Sequence, residues 1–228
     1  IYQELRKTLN ETEIFCCEKE YLKLYNLGYA LLERVEKGAE YVNEHIEPPS
    51  TDEEFFLIMM YGAMLVDAAG LLLNELKIKS PYQNGEQISY CYFADVCENQ
   101  NLQFNDGTIP TDKEVWEYIR ALSFAHPFKT SHPQFLEKGE IQYSPAIIAN
   151  IKPEFLPVDA EPTIGILVYS TAFPEIKVLN IPYTRILGYI SSRYQLLALG
   201  TERIKQIVAE KKQEWVKQKV EIGANAID

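Results

Sequence analysis

Histidine and cysteine are scarce in this 228-residue chain, with three of the first and four of the second. That scarcity removes most metal chemistry. Cys16 and Cys17 are adjacent, and Cys91 and Cys97 have five residues between them, whereas zinc sites favour pairs about two to four residues apart. No histidine lies three to five residues from another, so the helical His pair of a metal hydrolase is missing as well. The thiols read as reduced residues of a helical core, with a thiol nucleophile as the alternative. No cofactor is expected: neither standard glycine-rich phosphate loop occurs, nor does a Gly-x-Ser-x-Gly elbow or a long internal repeat. Basic residues are in deficit, 22 against 33 acidic, and the resulting net charge of −11 repels nucleic acid at long range. No DNA partner is expected, and any RNA contact has to be local. Uninterrupted apolar runs of about 18 residues are absent, and the opening IYQELRKTLN lacks the apolar core of a signal peptide. The expectation is a cytoplasmic chain with no membrane partner.

What is present is ordinary globular material, 46% hydrophobic and 24% charged, enough for one core with a small appendage. Helical spacing runs from Tyr2 to about His45, with Asn26-Leu27-Gly28 as the expected interruption because glycine weakens helices. His45 reads as a surface residue at the ragged end. Glu47-Pro48-Pro49 stops that segment, and Ser50 to Glu53 has the pattern of a capping box opening a second helix to about Leu76. This helix is apolar nearly all round and is expected at the centre of a bundle, with Gly62, Ala63, Ala68, Ala69 and Gly70 allowing close approach. Asp67, its one internal charge, reads as a helix-edge residue or a cap. A short aromatic helix is expected over Gln87 to Glu98, then a polar loop, ENQNLQFNDGTIP, long enough to flank a site.

Thr111 to Glu114 forms a second capping box and launches VWEYIRALSFAHPFKTSHP, which carries Arg120 and two of the three histidines, His126 and His132. Beyond it, β-branched residues over Ile141 to Ile151 and Thr163 to Ser170, with Glu175 to Ile181, predict a small antiparallel hairpin, with room for a third strand. Pro182-Tyr183 opens another helix. Gly200-Thr201 is expected to break or bend it, and a charged amphipathic helix follows to Val220. The expected fold is mainly α, a bundle of about four to six helices with a β-hairpin insertion between Ile141 and Ile181. One domain is anticipated, with a helical core over 2–133, the hairpin over 141–181 and C-terminal helices over 182–221.

Arg120 and His126 are six residues apart, about 9 Å along a straight helix and about 120° apart around it. In that geometry His126 falls on the apolar stripe of Val115, Ile119 and Leu122, while Arg120 stacks over Trp116; both would then be structural. A functional pairing needs a second copy of the helix, or loss of helical geometry at Ala125-His126-Pro127, where the residue before proline is driven from the α region. The pair could then act on RNA without a metal, the imidazole taking a 2′-hydroxyl proton and the guanidinium holding the phosphate. Lys129, Thr130, Ser131 and His132 form a second cluster able to bind phosphate; a chance surface loop explains them too. Arg185, Arg193 and Arg203, with Tyr189 and Tyr194, are further candidates for the same cleft.

The segment Arg120-Ala121-Leu122-Ser123-Phe124-Ala125-His126, near the end of a helix in a helical bundle, resembles the Arg-x4–6-His motif of the HEPN superfamily. The resemblance covers Tyr2 to Pro133. It implies a metal-independent endoribonuclease of toxin–antitoxin or phage-defence type, working as a homodimer on RNA and answering to an antitoxin or other regulatory protein. Arg120 and His126 would be catalytic, with Lys129, Ser131 and His132 binding substrate. Ala121 departs from the polar residue usual there in active members, and the hairpin and last helices are additions to the minimal fold. A non-catalytic, HEPN-like interaction module is therefore the alternative.

Overall fold

The computed structural model describes residues 1–11, 19–82, 87–104, 106–130, 139–148 and 161–225. It is mainly helical with a small antiparallel sheet. In chain order come α1 (Tyr2–Asn10), α2 (Leu22–Glu44), α3 (Asp52–Glu75), α4 (Ala94–Gln100), α5 (Asp112–Arg120), strands β1 (Gln142–Tyr143), β2 (Ile147–Ile148), β3 (Thr163–Ser170) and β4 (Lys177–Pro182), then α6 (Tyr183–Tyr194) and α7 (Leu197–Asn225). These residues form two compact units, one of Ile1–Lys37, Leu65–Ser80 and Arg193–Asp228, the other of Gly38–Met64 and Pro81–Ser192.

In the first unit α1 packs on α7, and Leu5, Leu9, Val35, Leu72 and Ile204 are sealed from solvent. Two glycines expected to interrupt helices do the opposite. Helix α2 continues through Gly28, and a Cβ there would stand 2.8 Å from Leu9 Cδ1; α7 continues through Gly200, where a Cβ would stand 2.5 Å from Leu72 Cδ2. Both residues are where a neighbouring leucine needs the space of a missing side chain. The helix from Tyr2 ends at Asn10 instead, and the break between α6 and α7 falls at Gln195 and Leu196. Gly70, by contrast, faces open space, so it brings no helix close. Arg6–Glu36 at 2.6 Å and Lys205–Glu4 at 2.9 Å tie the surfaces of the unit together.

The second unit is built round α5, α6 and the sheet. Strand β3 is central, pairing antiparallel with β1 and β2 along one edge and with β4 along the other. Ile164, Ile166, Val168, Leu179 and Ile181 are buried, as period-two alternation requires of a sheet with one covered face. Gly62 lets α6 close on α3, since a Cβ would lie 2.4 Å from Ile190 Cδ1. The aromatic helix expected over Gln87 to Glu98 is split into a 3-10 turn at Gln87–Tyr90 and α4. The cause is Asp112: its buried carboxylate accepts N–H bonds from Cys91 (2.9 Å), Tyr92 (3.0 Å) and Phe93 (2.9 Å), drawing that backbone out of helical pairing.

Helix α3 starts one residue later than the Ser50 box implies. Thr51 Oγ1 accepts from Glu54 N at 3.2 Å, and the Glu54 carboxylate accepts from Ser50 N at 2.6 Å. This helix is long and apolar enough to cross a membrane by length and composition, and half of its most apolar window is buried; Asp67 is exposed on it. At the end of α2, His45 stacks on Tyr41 with ring centroids 4.0 Å apart and bonds through Nδ1 to the Tyr41 carbonyl at 2.8 Å. The hydroxyl of Tyr183 donates to the His45 carbonyl at 2.5 Å, making that histidine a helix stop rather than a free surface residue.

Candidate functional site

Helix α5 is fixed at its start by two devices. Thr111 Oγ1 accepts from Glu114 N at 3.4 Å while Glu114 Oε2 accepts from Thr111 N at 2.8 Å, the reciprocal box expected from the sequence. One residue on, Asp112 holds the turn before α4 as described. Val115, Trp116, Ile119 and Leu122 are completely buried, and the Trp116 indole stacks on Tyr189, centroids 5.0 Å apart. Trp116 is thus not the platform for Arg120; it belongs to the core.

The end of the helix decides where His126 goes. Residues Ala121–Ala125 form a π turn, with His126 N–H donating to the Ala121 carbonyl at 2.9 Å rather than to that of Leu122. Ser123 sits inside this turn with its hydroxyl donating back to the Ile119 carbonyl at 2.7 Å. A π turn inserts one residue, which rotates everything beyond it back by about 100°. On a straight helix His126 would stand within about 20° of Val115, in the middle of the buried stripe; the insertion moves it about 80° to one side. Proline at 127 then ends the helix, and His126 leaves the α region at φ −144°, ψ 48°. The expectation of a histidine on the apolar stripe is overturned: His126 is exposed.

The same rotation brings the two residues of the motif to one groove. Arg120 and His126 stand on the two flanks of the solvent side of α5, with Glu117 and Ala121 between them, and both line an open groove of about 510 Å³. Thr111, Lys113, Glu114 and Ala125 complete its lining. Arg120 is half-buried and its guanidinium lies 3.6 Å from the Glu117 carboxylate. Two cations, two carboxylates and one imidazole therefore share a wet, half-open space. Chemically it offers an imidazole and a guanidinium opening on the same solvent-filled space.

Lys129 is exposed in the turn that follows, its N–H donating to the His126 carbonyl at 3.2 Å, and it does not line the groove. Ser131 and His132 lie outside the described residues, as do Cys16 and Cys17. The arginines of the later helices are elsewhere: Arg185 pairs with Asp95 at 2.8 Å, Arg203 reaches Glu210 at 3.4 Å, and Arg193 is buried. Cys91 is exposed rather than in a core; Cys97 is buried, and burial pushes its thiol pKa up to about 12, so it carries no reactive thiolate near neutrality. Among the described residues no group of three or more His, Cys, Asp or Glu is placed to hold a metal. Lys113 and Glu117 were not singled out from the sequence. Glu117 stands four residues after Lys113 and three before Arg120, a spacing that becomes informative only once the groove face of α5 is known.

No protein-family model, curated protein or solved structure matches the chain.

Proposed function

We propose that the groove on α5 is the active site of a HEPN-like, metal-independent endoribonuclease. The observation that carries this reading is that exposed His126 and half-buried Arg120 line one solvent-open groove on a single chain. In the reaction His126 takes the proton of a ribose 2′-hydroxyl. The 2′-oxygen then bonds to the adjacent phosphorus, and the 5′-oxygen of the next nucleotide departs with a proton returned to it. Arg120 neutralises the charge growing on the phosphoryl oxygens, exchanging its contact with Glu117 for the phosphate. Lys129, just beyond the groove, meets the neighbouring backbone phosphate. The protein is cytoplasmic on this reading and works as a homodimer of toxin or phage-defence type, restrained by an antitoxin or other regulatory protein.

The test is cleavage of single-stranded RNA by the intact chain in excess chelator. Cleavage is expected to persist there and to vanish in His126→Ala with the melting temperature unchanged. A wild-type chain that leaves RNA intact, or an alanine variant that cuts as well, ends the proposal.

A second reading is favoured by the Arg120–Glu117 contact and by Glu114 in the same groove, which together oppose a polyanion. On it, the chain is a non-catalytic HEPN-like module in a defence or regulatory complex. Glu117→Gln separates the two: it raises RNA affinity and cleavage in a nuclease, whereas a module binds no RNA with either residue.

A further inference from the structure

Tyr118 of α5 lines a second cavity, of about 350 Å³, together with the residues after α4 and the β3–β4 hairpin. Its volume falls in the range of small-molecule sites, which are apolar hollows with a few placed polar groups. The floor is polar and buried: Tyr118 donates its hydroxyl to Gln142 Oε1 at 2.5 Å, and Gln142 Nε2 donates to Glu140 at 2.8 Å, which also accepts from Ser170 Oγ at 2.5 Å. Leu102, Val168 and Leu179 make apolar walls. One wall is held rigidly, because the Gln100 side chain bonds both ways to the backbone of Asn180, at 2.5 and 2.7 Å.

Lys177 is out of place in that setting. Its register partner is buried Val168, so it starts from the same face of β4 as buried Leu179 and Ile181, but at the end of the strand it is exposed. Its ammonium sits 3.8 Å from the centre of the Phe173 ring at the cavity mouth. In a chain of net charge −11, it is the one charged side chain in the lining among the described residues. A hollow with apolar walls, a Tyr118–Gln142 hydrogen-bonding floor with the Glu140 carboxylate behind it, and a cation at its rim is complementary to a molecule with an apolar body and one anionic head held at the rim.

We propose that this cavity binds a small amphipathic anion, a carboxylate on a short aliphatic or aromatic body, with Lys177 taking the head group and Leu102, Val168 and Leu179 the body. This site is separate from the groove and stands whether or not the chain cleaves RNA. A lysine at the end of an edge strand also has another use, protection against edge-to-edge pairing, and the test has to tell the two apart.

Benzoate and hexanoate, each against its neutral amide, are titrated into the full chain and followed by amide chemical shifts. For ligands of eight or nine heavy atoms, the affinity expected is about millimolar. The carboxylates are expected to shift Leu102, Val178 and Leu179 and to bind about tenfold tighter than benzamide and hexanamide. Lys177→Gln removes that preference and Lys177→Arg keeps it. Any of three results overturns the proposal: no shift by either carboxylate at about 20 mM, well above that affinity; equal binding of acid and amide; or a Lys177→Gln variant that binds as before. Self-association that rises in Lys177→Gln without carboxylate binding by the wild type assigns the lysine to edge protection instead.

Discussion

The groove beside His126 and the cavity above Tyr118 both draw on one short helix, and they differ in what holds them. On the groove side the charges are mixed and reachable by water, and the main determinant of geometry is a backbone event, the π turn that carries His126 off the buried stripe. On the cavity side the polar groups are neutral or buried, each tied to the next, and geometry is set by side chains: the Tyr118–Gln142–Glu140 chain and the Gln100 clamp on β4. Exposed charges interact weakly and are free to change partner. Buried polar networks are costly to break and change little. Substitutions in the groove should therefore alter chemistry with little loss of stability, and substitutions under the helix should do the reverse.

His126→Ala breaks the comparison most sharply. If the groove is catalytic, removing a general base lowers RNA cleavage by about 10²- to 10⁴-fold, and because the ring is exposed the urea midpoint stays where it was. A large fall in stability would place His126 among the structural residues. Next comes Asp112→Ala at the root of the helix. It strips three backbone N–H groups of a charged acceptor in a buried site, for an expected loss of about 3 kcal/mol in urea unfolding. That loss should disturb groove and cavity together, since both depend on where α5 begins. Smaller again is Tyr118→Phe. It leaves Gln142 without its donor at 3% tyrosine exposure, costing about 1 to 2 kcal/mol, while RNA cleavage is unchanged. A cleavage defect in Tyr118→Phe with normal stability would merge the two sides into one site.

How legible this was in the sequence differs in the same way. The second capping box appears where Thr111 and Glu114 stand, and the β3–β4 hairpin where alternation and proline predict it, because both follow from local chemistry. The Ser50 box is off by one, since Ser50 with Glu53 and Thr51 with Glu54 have the same spacing and only packing chooses between them. Gly28 and Gly200 mislead for a plainer reason: sequence shows the helix cost of glycine but not the leucine across the interface that requires it. Asp112 could be read as the first residue of a helix, yet its partners lie about twenty residues back in the chain. The π turn has no side-chain signature of its own beyond Pro127, so the face of His126 could be predicted only as far as a straight helix allows. Lys177 looks like one more charge on a strand until its parity with Leu179 and Ile181 is fixed by register.

The smallest effect expected is on pH dependence, and it too separates the two sides. Burial raises the phenol pKa of Tyr118 above its usual range and pushes the Cys97 thiol up to about 12. Neither proton is released from the folded state at pH values where the unfolded chain gives it up. For Cys97, whose unfolded thiol titrates near 9.0, the unfolded state holds fewer protons once pH passes that value, so the slope of stability with pH is negative there. The full contribution is present below about pH 9 and is lost as pH climbs toward 12, at about 1.4 kcal/mol per unit for each proton. At pH 9.5 the loss is less than about 1 kcal/mol. Cys97→Ala is expected to flatten urea midpoints between pH 8 and 10 by the share of that one thiol. A wild-type protein whose stability is flat or rising over that range would mean that the interior around Cys97 of α4 is open to water, and the contrast between a wet groove and a sealed interior would fail.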